Sequence, residues 1–406
     1  MRIGIVTTWF ERGAAYVSKQ YENILEKNNE VYIYARGGEM YARGNPLWDK
    51  DNVHWGKKNT LPIINGLDLS DFQKWLEKNN IELVLFNEQW WWQPILLCKK
   101  LNIITGAYID YYTDTTVPLF ANYDFLICNT KRHFSVFNWH PKCFYVPWGT
   151  DTNLFKMDFN EKNNDTELIF FHSAGMNPFR KGTDFTILAF NTLVKKYDNI
   201  KLLIHTQKNI SDYFPDLNQT IHSLQADKKL DIVHESISAP GLYHKADVYI
   251  YPSRLDGIGL TLMEAMSCGL PVITSDNGPM NEFINPKTCQ TITIKKFYCR
   301  NDSYYWPMCE VNVNDLTKQM EWYVFNNSKI NELKFKTRKF AEEKLEWMNN
   351  QELIDSIFLE VKLLPKENKL INAANIYDNR KYNIPRMVYI KYRNIIKNII
   401  KKVLIK

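Results

Sequence analysis

No apolar run in the sequence approaches the roughly 18 to 20 residues that a membrane-crossing helix needs. The opening MRIGIVTTWF has one basic residue, a short apolar stretch broken by Thr7 and Thr8, and no small-residue cleavage site. It reads as a buried strand rather than a leader, and the expectation is a cytoplasmic protein. The seven cysteines are odd in number and irregular in spacing, so they do not make a disulfide framework. Cys289, Cys299 and Cys309 sit ten apart, but the short gaps of a zinc site are missing. They read as reduced thiols in a strand-rich insert, and no metal is expected. An internal repeat and a low-complexity tract are also lacking.

What is present points to a globular protein, with 45% hydrophobic and 24% charged residues. At 406 residues the chain is longer than one hydrophobic core usually supports, so two domains are expected. Charge is uneven: residues 379–406 hold nine Lys or Arg and no acid, which exceeds the whole net charge of +6. Without them 42 basic groups face 45 acidic ones, so the body is mildly acidic.

Short apolar runs alternate with segments of helical period. RIGIVT, EVYIYA, IELVLF, NIITGAYI, YDFLIC and CFYVPW read as strands, with GAAYVSKQYENILEKN and SDFQKWLEKN as helices between them. After a polar, turn-rich stretch at 146–165 a second series follows: ELIFFHSA, IKLLIHT, KLDIVHES, ADVYIYPS and LPVITSD. The expected fold is α/β, two Rossmann-like, doubly wound parallel-sheet domains facing a cleft, with a C-terminal helical tail. The boundaries fall at 1–148 and 149–365, with an aromatic and Cys-containing hairpin insert at about 286–313 and a basic tail at 366–406.

The stretch YPSRLDGIGLTLMEAMSCGLPVITSD, 251–276, carries Asp256 and Glu264 around a turn with two glycines. A buried strand ends there and a helix begins. Glycines let a ligand approach the backbone, and a helix N-terminus offers unpaired N–H groups and partial positive charge. The backbone of Gly257, Ile258, Gly259, Leu260 and Thr261 is thus a candidate phosphate cradle. Glu264, about one helical turn in, can accept hydrogen bonds from a vicinal diol such as a ribose, and Asp256 lies nearer whatever is attached beyond the phosphates. The ordinary alternative is that Asp256 caps the helix and Glu264 is a solvated face residue.

The words around these acids favour the first reading. ADVYIYPSRLDGIGLTLMEAMSCGLPVITSDNGPMNEFI, 246–284, resembles the signature region of retaining glycosyltransferases of the GT-B fold, in particular glycosyltransferase family four. The PS after the strand, the acid and glycine turn, the EAM and CGLPV run and the later Glu282 carry the resemblance. YVPWGTDTNLF, 145–155, and GMNPFRKGTDFTILAF, 175–190, resemble the family's linker and its first C-domain turn and helix. The resemblance implies that Glu264 binds the ribose and Asp256 lies by the donor sugar. Family members ordinarily have Glu at the latter position, so Asp256 is a departure. It also implies that Lys181 holds the donor diphosphate. The family's arginine is replaced by Met176, and Arg180 is the candidate substitute. A retaining sugar transfer from a nucleoside diphosphate sugar is implied, to a glycan or lipid-linked acceptor and with no metal. A sugar-nucleotide epimerase, a phosphorylase or a silent nucleotide-sugar-binding subunit stay open on the same fold.

In the first domain Gly13 stands where the family has small residues near the diphosphate. Asp110, followed by Tyr111, stands where the family usually has His. Glu88, beside Trp90, Trp91 and Trp92, is a candidate acceptor contact, and core packing is the ordinary role for two of the three indoles. In the tail, Val388, Tyr392, Ile395, Ile396, Ile399 and Val403 recur at helical spacing opposite Lys391, Lys401 and Lys402. Such a helix suits an anionic membrane surface or packing on the first domain. Nucleic acid is not expected as a partner, since no other basic or aromatic binding motif is present.

Overall fold

In the computed structural model, which describes residues 1–37, 42–59, 63–156 and 167–382, the chain divides into two compact units. The first comprises Met1–Asn129, His133–Val146 and the chain from Gln351 onward; the second comprises Thr130–Arg132 and Pro147–Asn350. The chain therefore returns to the first unit at Gln351, earlier than the boundary at 365 read from the sequence. The reason is local. Trp347 is fully buried and its amide donates to Thr150 O at 3.0 Å, both in the second unit. Gln351 instead donates to Ile24 O at 3.0 Å and Asn28 donates to Asp355 at 2.8 Å, all in the first.

The first unit is a seven-stranded sheet of β1 (Arg2–Thr7), β2 (Glu30–Ala35), β3 (Val53–Trp55), β4 (Leu83–Phe86), β5 (Ile104–Tyr108), β6 (Phe125–Cys128) and β7 (Cys143–Tyr145). Their order is β3-β2-β1-β4-β5-β6-β7, with every neighbour parallel. Runs such as IVLF-rich β1 and β4 are apolar on both faces because helices cover both sides of a parallel sheet. Strand β3 had no sequence signal: VHW is three half-buried residues at the sheet edge.

The helix Asn368–Lys381 also belongs to the first unit. Its Asp378 is 3% exposed and accepts hydrogen bonds from Trp92 N at 3.1 Å and Gln93 Nε2 at 3.0 Å. The helix Gln93–Lys100 has no cap from its own preceding side chain, so Asp378 supplies one from a distant part of the chain. Burial pushes the Asp378 carboxyl up to about 6, against these hydrogen bonds and Lys381, which lower it. The amphipathic segment of the tail, 388–403, lies outside the described residues.

The second unit has a six-stranded parallel sheet of β8 (Leu168–Gly175), β9 (Ile200–Thr206), β10 (Leu230–His234), β11 (Val248–Tyr251), β12 (Val272–Ser275) and β13 (Gln290–Ile292), ordered β10-β9-β8-β11-β12-β13. Phe170, Ile204 and Ile250 from the sheet pack with Phe190, Leu193, Met320 and Tyr323 from the helices Thr183–Leu193 and Val313–Phe325. The expected hairpin insert is β14 (Ile294–Tyr298) and β15 (Met308–Val311), antiparallel with an irregularity between Ile294 and Lys296. Among the described residues, no helix is long and apolar enough to cross a membrane.

Candidate functional site

In the second sheet the strand order reverses between β8 and β11, and the chain leaving each strand there is free to build a ligand site. At the end of β8, Gly175 adopts φ +54, and Met176 after it is 64% exposed. Asn177 caps the short helix Pro178–Lys181 by accepting from Arg180 N at 2.9 Å. Arg180 and Lys181 thus close this helix, where cations are favoured, rather than open the next one. Gly182, at φ +74, separates it from Thr183–Leu193, and a Cβ there would lie 2.1 Å from Pro252 O.

That close approach is one of several stitches between the turn after β8 and the turn after β11. Arg254 N donates to Arg180 O at 2.8 Å, and Ser253 Oγ to the same oxygen at 3.2 Å. The Arg254 guanidinium lies over the rings of Phe179 and Phe185 and forms two parallel bonds to Asp184. None of this fork was visible in sequence, since Arg254 and Asp184 are 70 residues apart.

The stitching brings Arg180, Lys181 and Asp256 together. Oδ2 of Asp256 accepts from Arg180 Nη1 at 2.8 Å, from Lys181 Nζ at 2.7 Å and from the Tyr251 hydroxyl. Oδ1 accepts from Gly257 N at 2.9 Å. Burial works to raise the Asp256 carboxyl, but the two cations outweigh it and hold it well below the usual carboxylate range. Lys181 is lowered by burial, with Asp256 opposing and Arg180 adding to the effect, while the carboxylate raises Arg180 against burial. Lys181 also donates to the Tyr251 hydroxyl at 2.6 Å, over whose ring it sits. Asp256 is therefore the counter-ion of both candidate phosphate ligands, a position the sequence reading did not give it.

Open space is left at two glycines. A Cβ built at Gly257 or at Gly175 would meet no atom within 4 Å. Gly259 caps the helix Leu260–Ser267 at φ +87, a conformation that suits glycine. Ile258 is buried and anchors the turn, while Leu260 and Thr261 are half-buried at the helix start. One turn further, Glu264 is half-buried and accepts from the Tyr243 hydroxyl at 2.7 Å. Burial raises its carboxyl, against Tyr243 and Lys181. Glu264 is thus neither solvated nor neutralised by an ion pair of its own, which disfavours the ordinary reading of a surface residue. Glu282 is occupied in a different way, accepting from the amides of Lys131 and Arg132, which cluster with this unit.

Gly13 and Asp110 lie in the first unit. Gly13 is exposed and opens the helix Gly13–Leu25, which has no side-chain cap. Asp110 follows β5, and burial followed by the charge of Glu88 pushes its carboxyl up to about 7, with Arg36 opposing. Glu88 follows β4 at φ +52 and pairs with Arg12 at 3.2 Å, beside the switch between β1 and β4. Arg36, after β2, is fully buried and donates to the carbonyls of Asn87 and Glu88 at 2.8 and 2.9 Å. Sequence reasoning missed Arg36; the signal was a lone basic residue closing the apolar strand EVYIYA. Trp91 and Trp92 are buried, and Trp90 packs on Tyr111 at 4.7 Å. Tyr251 and Tyr243 were also missed, because a tyrosine in an apolar run looks like core.

Residues 155–296 match the family model described as Glycosyl transferases group 1. That segment is similar to the glycosyltransferase group 1 family. It contains every candidate site residue of the second unit. The chain is 29% identical over 149 residues to a probable sucrose-phosphate synthase of Thermosipho melanesiensis, covering 36% of this chain and 34% of the relative. The match thus spans about a third of that relative's length. Among solved structures, sucrose-phosphate synthase of Thermosynechococcus elongatus superposes with TM-score 0.68 over 89% of this chain and 98% of its own, at 15% identity. HepE of Anabaena, solved with UDP and glucose, gives TM-score 0.66 over 89% of this chain and all of its own, at 14% identity. The fold is GT-B, as the resemblance implied.

Proposed function

We propose that the chain is a retaining glycosyltransferase that moves a sugar from a UDP- or GDP-sugar to a glycan or lipid-linked acceptor. The observation that carries this reading is the grouping of Arg180, Lys181 and Glu264 around the open glycine turn at the switch point of the second sheet. On this reading Glu264 accepts from the ribose hydroxyls. Lys181, Arg180 and the backbone amides from Gly257 to Thr261 take the charge that develops on the leaving diphosphate. Asp256 serves the donor sugar once the diphosphate has taken its partners. The acceptor attacks the face the phosphate leaves, without an enzyme nucleophile. In the first unit, Asp110 and Glu88 are the acceptor-side candidates. The basic tail would bring the enzyme to an anionic membrane surface where a lipid-linked acceptor resides.

The test is a thermal-shift screen of UDP-, GDP- and ADP-sugars followed by transfer assays. One donor class is expected to stabilise the protein, and Glu264→Ala to abolish that shift. A shift unchanged by Glu264→Ala would remove the ribose assignment. Free nucleoside diphosphate should appear together with glycosylated acceptor; an isomerised sugar nucleotide in their place would make the protein an epimerase. Transfer is expected to persist in EDTA, because two cations and a helix N-terminus meet the phosphate charge; complete loss there would overturn that part of the mechanism.

A further inference from the structure

We propose that Asp256 is a resident anion that occupies the diphosphate's ligands until the donor displaces it. This rests on the nucleotide-sugar reading of the site and adds to it a control over donor entry. Oδ2 of Asp256 takes three donors, Arg180 Nη1, Lys181 Nζ and the Tyr251 hydroxyl, while Oδ1 takes the amide of the next residue. Oδ2 is thereby fully served, and one charge-assisted bond of each cation is already committed to it.

The geometry also says where the competitor enters. Space is open at Gly257, next to Asp256, where an added Cβ would meet no atom within 4 Å. The side chains of Arg180, Lys181 and Asp256 retain 32%, 12% and 14% exposure, so the cluster is reached from solvent. An incoming diphosphate carries more charge than one carboxylate and can take the same N–H donors. As it does, the Asp256 side chain is released from both cations with no bond made or broken covalently. The released carboxylate is then free to meet the sugar attached to that diphosphate. Donor binding is thereby weaker than the two cations alone would give, and the freeing of Asp256 is tied to the arrival of its substrate.

The prediction runs opposite to that for an ordinary ligand-contacting acid. Binding of UDP, GDP and inorganic pyrophosphate to the full chain is measured by calorimetry for wild type, Asp256→Asn and Asp256→Glu. Asp256→Asn is expected to tighten whichever nucleoside diphosphate binds, and pyrophosphate, by about tenfold, a typical scale for one competing charge-assisted pair. Asp256→Glu, which keeps the charge, is expected to stay within about threefold of wild type. Equal or weaker binding by the Asn variant, with wild type binding, overturns the proposal and leaves the nucleotide reading intact. Glu behaving like Asn would also overturn it, since charge would not be the cause. No binding by any of the three proteins would sink the nucleotide reading itself. Should Asp256→Asn fail to fold, Tyr251→Phe removes one donor from the same oxygen and is expected to tighten binding by a smaller factor; weakened binding there counts against the proposal.

Discussion

Arg254 grips Asp184 through two bonds, Nη1 to Oδ1 at 2.7 Å and Nη2 to Oδ2 at 2.6 Å. Arg254 is 4% exposed and its Nη1 also donates to Phe179 O, so the fork holds the end of the segment that carries Arg180 and Lys181. Lysine cannot reproduce a planar fork. Arg254→Lys is expected to cost about 1–3 kcal/mol of stability in denaturant unfolding. It should also weaken nucleoside diphosphate binding measured at a temperature where the variant is folded. Wild-type affinity in a destabilised Arg254→Lys protein would show that the fork is a fold element without influence on the cations.

Two glycines of the same region should respond in opposite ways. Gly182→Ala places a Cβ against Pro252 O at φ +74, so it should unfold the second unit or lower its stability by about 3 kcal/mol or more. Gly257→Ala meets no atom within 4 Å and should leave the melting temperature of the ligand-free protein unchanged. Its methyl group fills the cradle, so nucleoside diphosphate affinity should fall about tenfold. A Gly257→Ala protein that binds normally would place the phosphates elsewhere.

Asp378 supplies the pH prediction. Its folded carboxyl is raised to about 6 by burial, against the bonds from Gln93 and Trp92 and the charge of Lys381. A raised carboxylate favours the folded state while protonated in both states, so its contribution is fully present below the unfolded value near 4 and is lost as pH rises through about 6. The whole effect is about 3 kcal/mol at most. Asp378→Asn should remove this part of the pH slope, read as urea midpoints at intervals between pH 4 and 7. A slope identical to wild type would assign the titration to other groups.

The tail makes a separate prediction. The full chain should float with vesicles rich in anionic lipid and lose that behaviour in high salt, while a chain ending at Tyr382 should stay behind. The cut belongs there because Asp378 and the rest of the helix Asn368–Lys381 are part of the first unit. Equal flotation of both chains would dismiss the tail as the anchor.

The sheets were legible in sequence because strands buried on both faces are apolar without interruption, as in LVLF and VYIY, and because turn residues separate them. Glu264, Lys181 and the glycine turn were legible because the chemistry is local: a helix start, two glycines and an acid one turn on. What was not legible depends on side chains that meet across the sheet. Nothing in YPSRLDG says that Asp256 turns back to Arg180 and Lys181, some 75 residues earlier. That Tyr251 points at the same oxygen is equally hidden, since its strand VYIY is buried along its length. The break before Gln351 was obscured because apolar residues keep their helical spacing through it, while the decisive hydrogen bonds run to Thr150 and Ile24.

The path of the chain has a consequence for synthesis. The second unit is nearly continuous in sequence, so all of its residues have been made once Asn350 is added. The first unit is not: its sheet is laid down by residue 145, but the helix that caps Gln93–Lys100 through Asp378 comes more than two hundred residues later. During translation the older half of the molecule must therefore wait with the helix Gln93–Lys100 uncapped until after every residue of the younger half has been made. The emergence of Asn368–Lys381, rather than that of the first strands, is the event that completes the N-terminal sheet domain.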